Sequence, residues 1–152
     1  MNIKTKYFGE IEVDETKRIQ FPAGLPGFVD ESSFILLDLP GNHVFQLLQS
    51  LQTPSIAFVV TTPYSFYPNY AVELDDNVME SLKIHREEDV SLLVIVTLAA
   101  PFEKSTLNLK APVILNVDQQ CGKQYILNTE EYSSKEPINP SANESVKGEQ
   151  PC

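Results

Sequence analysis

The sequence predicts a mainly β fold, a small antiparallel β-barrel-like domain with one short helix. Three observations lead there. Apolar residues come in short runs, several of them alternating with polar neighbours, the period of a half-buried strand. Proline and glycine fall between the runs, as they do in sandwiches and barrels. Only the stretch after Asp75 carries convincing helical spacing.

The elements follow in order. Lys4 to Phe8 and Glu10 to Val13 read as strands on either side of a bend or bulge at Gly9. In the second, Ile11 and Val13 alternate with Glu10, Glu12 and Asp14. Arg18 to Phe21 is a short strand stopped by Pro22. Phe21-Pro22-Ala23-Gly24-Leu25-Pro26-Gly27-Phe28 is dense turn chemistry, and Phe21, Leu25 and Phe28 should pin it down. Strands are expected at Phe34 to Leu39, Val44 to Leu51, Ile56 to Thr61 and Tyr70 to Leu74.

The helix comes next. Asp75 or Asp76 can cap it, Val78, Met79 and Leu82 give it an apolar edge, and it should end near Lys83. Val90 to Leu98, Leu107 to Leu109, Val113 to Asp118 and Gln124 to Leu127 complete the strands. The body is expected to span residues 1–132 as one domain. Residues 133–152 are rich in Ser, Pro, Glu and Asn, with little apolar surface to offset ordering entropy, and are expected to form a disordered polar tail.

Composition narrows the function. A formal net charge of −10 opposes direct binding of nucleic acid, which needs a cationic footprint, and suits a basic protein partner. The amino-terminal residues lack the apolar core of a secretory signal. The nearly apolar run from Val90 to Pro101 is, at about a dozen residues, too short to cross a bilayer. A cytoplasmic protein without membrane contact is expected.

No catalytic signature stands out. His43 and His85 have no second ligand at metal spacing, and Cys121 and Cys152 form no CxxC. There is no GxSxG, P-loop or dinucleotide fingerprint. Gly24-Leu25-Pro26-Gly27 is no phosphate cradle, because Pro26 removes a donor. No enzymatic activity, cofactor or metal is expected.

Two features suit protein binding instead. Between Glu73 and Asp89, seven carboxylates (Glu73, Asp75, Asp76, Glu80, Glu87, Glu88, Asp89) face only Lys83 and Arg86. They read either as capping charges on a solvated helix or as a negative patch. Thr62 to Tyr70 holds four aromatics and two prolines, Pro63 and Pro68, and is either packed on the barrel mouth or forms a binding lip.

Several segments together resemble the flagellar assembly factor FliW family. They are Thr5 to Ile11, Ile19 to Phe28, Phe45 to Ser50, Ala57 to Val60, Ser105 to Val113, and Asn116 through Gly122 to Leu127. The resemblance covers nearly all of Ile3 to Leu127 in order. The segment from Ser133 has no counterpart in it.

The resemblance implies a β-barrel-like fold and two protein partners. One is flagellin, bound before export. The other is CsrA, a small basic dimer that represses flagellin translation by binding its messenger RNA. A partner switch relieving that repression is the function it implies; a dedicated flagellin export chaperone is the alternative. The chain alone is expected to be monomeric. Contact residues are expected among apolar groups beside the matching segments: Phe58, Tyr64, Phe66, Tyr70, Pro101, Phe102, Leu107 and Leu109. The acidic contacts are expected at Asp75, Asp76, Glu87 and Glu88.

Overall fold

Ile3 faces Ile11 across a two-stranded ribbon of β1 (Asn2–Lys4) and β2 (Glu10–Glu12). Thr5 closes it, donating through its hydroxyl to the Gly9 carbonyl at 2.7 Å and accepting from the Phe8 amide at 2.9 Å. Gly9 makes the bend in the left-handed region, at φ 67°. The computed structural model describes residues 1–138, and all their side chains except those of Asn42 and His43.

The remaining strands are β3 (Ile19–Gln20), β4 (Ser33–Leu39), β5 (Asn42–Ser50), β6 (Ala57–Thr61), β7 (Ser91–Thr97), β8 (Thr106–Leu107), β9 (Val113–Asn116), β10 (Cys121–Gln124) and β11 (Glu136–Pro137). The order β7-β6-β5-β4-β3-β10-β9 returns to β7 through a β7–β9 pairing, which closes a seven-stranded barrel. All its neighbours are antiparallel except β3 and β10, which run parallel. The fold is therefore mainly β, as the sequence predicts, with one short helix, α1 (Asp76–Ser81).

β7 forks. Its first half pairs with β9, Ser91 to Leu115 and Leu93 to Val113. Its second half turns away to β8, Val96 to Leu107. β8 in turn pairs with β11, Leu107 to Glu136. Both faces of β7 are covered, so its text is nearly continuously apolar. Leu93 and Ile95 belong to the barrel interior, and Leu92, Val94 and Val96 to an outer layer beneath the Thr62 to Asp75 connection.

Phe21, Phe34, Leu48, Val60, Val113 and Leu115 fill the barrel. Gly122 is required in that packing: a Cβ there would lie 2.6 Å from Leu115 Cδ2 and 2.8 Å from Phe21 Cζ. The Phe21–Phe28 loop is packed down as its composition suggests, with Phe21 and Leu25 buried. Gly24 sits at φ 67°, where a Cβ would come 2.6 Å from the Val29 backbone, so only glycine fits.

Three expectations need correction. Tyr70 to Leu74 is extended but pairs with no strand. The final barrel strand lies at Cys121–Gln124, earlier than the expected Gln124 to Leu127, because Gly122 reads as a breaker yet serves as a close-packing site. The ordered body also continues past Tyr132. Ile138 is buried, its amide donates to the Ser105 carbonyl at 2.9 Å, and Tyr67 Oη donates to the Pro137 carbonyl at 2.7 Å. One apolar anchor and a strand pairing hold this strip, which the polar average of the 133–152 segment conceals. The rest of that segment, residues 139–152 with Cys152, lies outside the described residues.

Candidate protein-docking site

Asp75 organises the acidic side of the barrel. Its carboxylate accepts from the Val78 amide at 2.8 Å, capping α1, and from Tyr125 Oη at 3.2 Å. At the other end Asn116 on β9 donates to the carbonyls of Leu82 and Lys83, at 2.8 and 3.2 Å. A helix of six residues has little stability of its own. Val78, Leu82 and Ile84 fix it by packing on Ile114 of the barrel wall.

The turn after α1 carries Glu87 and Glu88, both exposed. Asp89 folds back under them. It accepts from the amides of His85 (2.9 Å) and Arg86 (3.1 Å). The His85 amide foremost, then Arg86, holds the Asp89 carboxyl below the usual carboxylate range against the opposing effect of burial. Arg86 lies within 3.8 Å of Glu88 and 3.7 Å of Asp89, so the cation nearest the patch is already engaged.

One of these carboxylates, Glu87, lines a groove of about 760 Å³. Leu74, Met79, Ile84, Val90 and Leu92 give it an apolar lining, which Tyr64, His85 and Arg86 share. A second groove, of about 580 Å³, lies across the Ala71 to Leu74 segment and is lined in part by Tyr125, Thr129 and Tyr132. Neither groove is announced by a motif. Of the lining residues the sequence singles out Met79, as part of the apolar helix edge Val78, Met79 and Leu82, and nothing in that spacing shows that it also lines a cleft.

Asp75, Asp76, Glu87 and Glu88 are all exposed, Glu87 lining the larger groove and Asp75 the smaller. Cap and patch coincide in Asp75, which does both.

The apolar candidates divide. Tyr64 is exposed at the groove mouth. Phe102 is exposed and edge-on to Phe45 at 5.9 Å, while Phe66 stacks on Phe45 at 6.1 Å. Pro101, preceded by a cis peptide, is exposed beside Phe102. Phe58 faces the barrel interior and is half-buried, edge-on to Phe28 at 5.4 Å.

Tyr70, Leu107 and Leu109 are corrections. Each is buried in the outer layer, and Tyr70 Oη donates to the Leu109 carbonyl at 2.7 Å. Burial, with the neighbouring Tyr132 and Tyr64, pushes the Tyr70 phenol well above its ordinary range. These side chains form core because β8 and the strip beyond Tyr132 cover them. Leu107 and Leu109 offer a partner no surface, and Tyr70 only the small edge by which it lines the larger groove.

The family model described as FliW protein matches residues 2–138. The flagellar assembly factor FliW of Oceanobacillus iheyensis is 51% identical over 138 residues, covering 91% of this chain and 94% of the relative. That of Bacillus subtilis strain 168 is 41% identical over 138 residues, covering 91% and 96%. A crystal structure of the flagellar assembly factor FliW superimposes with a TM-score of 0.88 at 44% identity, over 92% of this chain and 98% of the other. The match runs through β11, so the strip from Ser133 to Ile138 does have a family counterpart. A closed seven-stranded barrel and relatives matching over nine-tenths of the sequence place this chain in the FliW family of flagellar assembly factors.

Proposed function

We propose that the protein is a cytoplasmic, non-enzymatic assembly factor that trades two protein partners, flagellin and the basic translational repressor CsrA. The observation that carries this reading is an apolar groove with the exposed Glu87 in its lining, in a stretch of chain that also exposes Asp75, Asp76 and Glu88, and with the Arg86 guanidinium already engaged. Such a surface attracts a cationic protein and repels the phosphates of RNA bound to it. CsrA docked near Glu87 and Glu88 loses affinity for its transcript. Flagellin, when abundant, occupies the assembly factor and leaves CsrA on RNA by mass action. The switch operates when the two affinities lie within about 1–3 kcal/mol of each other.

The test is a titration into a CsrA–RNA complex, with and without flagellin, at two salt concentrations. RNA release that flagellin suppresses and salt weakens is expected. A repressor that stays on RNA at every dose overturns the reading. The second reading, a dedicated flagellin export chaperone, draws on the exposed Phe102 and its aromatic neighbours outside the acidic rim. Absence of CsrA binding in flagellin-free solution, with flagellin still bound, favours it.

A further inference from the structure

The segment Ala71 to Asp75 runs between the two grooves outside every sheet, with the alternating burial of extended chain. Its side chains alternate. Val72 and Leu74 pack into the apolar layers, and Ala71, Glu73 and Asp75 are exposed. In extended chain the backbone N–H and C=O groups lie across the side-chain direction, and successive residues aim them to opposite sides. The Ala71 amide donates to Tyr132 Oη at 3.4 Å, and Tyr132 lines the smaller groove. Alternation then turns the Glu73 amide to that same side and the Val72 and Leu74 amides to the larger groove. Ala71, Val72 and Leu74 line both grooves, whereas Glu73 lines only the smaller. Among the described residues no hydrogen bond reaches the backbone of Val72, Glu73 or Leu74.

We propose that the larger groove captures an extended peptide segment of a protein partner by β-strand addition along Val72 and Leu74, the peptide alternating apolar residues with lysines or arginines. Main-chain bonds to the free edge supply affinity, and alternate side chains supply selectivity. One set of side chains meets Met79, Ile84, Val90 and Leu92 on the floor. The other set meets the rim, where Glu87 and Glu88 stand exposed and Arg86 is held by its own acidic neighbours. This names a manner of recognition. It rests on the proposed function only in requiring that a protein partner exists.

The test uses the full chain. Random nonapeptides displayed on phage are selected on it, and the winning sequence is synthesised and added to ¹⁵N-labelled protein. Expected are sequences alternating apolar with basic residues, and amide exchange at Val72 and Leu74 slowed about tenfold or more, with Glu73 unchanged. Val72→Pro, which deletes one donor, should bind the peptide about tenfold more weakly than Val72→Ala, which keeps it. No selected peptide, an acidic or non-alternating consensus, protection elsewhere, or equal affinity of the two variants overturns the proposal. Should Val72→Pro fail to fold, the exchange pattern of the unsubstituted chain decides. Failure of CsrA or flagellin binding with this pattern intact strikes the partner-switch reading alone.

Discussion

The Tyr125 hydroxyl donates to the same Asp75 carboxylate that caps α1, so a residue next to the last barrel strand steadies the start of the only α-helix among the described residues. Removing the cap with Asp75→Ala should cost about 1 kcal/mol of stability, and Asp75→Asn much less, because an amide oxygen still accepts from Val78. Thermal unfolding of the two variants checks this.

That distinction governs how the acidic patch is tested. Asp75→Asn, Asp76→Asn, Glu87→Gln and Glu88→Gln combined should leave the fold intact, weaken the association with CsrA and flatten its salt dependence. Binding measured at two ionic strengths is the readout. Unchanged affinity and unchanged RNA release would remove electrostatics from the mechanism.

Leu109→Ala and Phe102→Ala should separate core from surface. The first opens a cavity in a fully buried layer and should cost about 2–5 kcal/mol. The second trims an exposed ring and should change stability by well under half that, leaving any loss of partner binding interpretable. Denaturant titrations of both variants make the comparison.

Gly122→Ala should destabilise by about 1–3 kcal/mol, since the added methyl overlaps Leu115 and Phe21. A variant as stable as the parent would mean that the interior has room the geometry does not show.

Asp89 links stability to pH. Its carboxyl titrates lower in the folded chain than in the unfolded one, because the amides of His85 and Arg86 bond to the charged form. Its contribution is therefore present above the unfolded value, about 3.9, and is lost as pH falls through the lower folded value. Asp89→Ala should lower Tm at neutral pH, with the difference from the parent narrowing in strong acid.

Much of the barrel is legible in the sequence because its strands are bounded by turn residues and lined by apolar ones. Ser33–Leu39, Asn42–Ser50, Ala57–Thr61 and Ser91–Thr97 lie within a residue or two of their expected places. What escapes is set by distant partners. Glu136–Pro137 is a strand only because Thr106–Leu107 offers it an edge, and no local propensity announces that. The buried state of Tyr70, Leu107 and Leu109 has the same origin: the layer that covers them is assembled from segments far apart in the chain. The acidic residues were readable because charge is a property of composition. The groove that Glu87 lines is not, because a concavity belongs to the tertiary arrangement.

The forked pairing of β7 has a mechanical consequence. The seam of the cylinder and the outer flap are stitched to one strand, at neighbouring positions along a single edge. Fraying the flap exposes the outward side chains of that strand, and loosening the seam withdraws the flap's anchor. The two should come apart together, as a single cooperative melting unit, rather than as a stable cylinder that sheds a loose appendage.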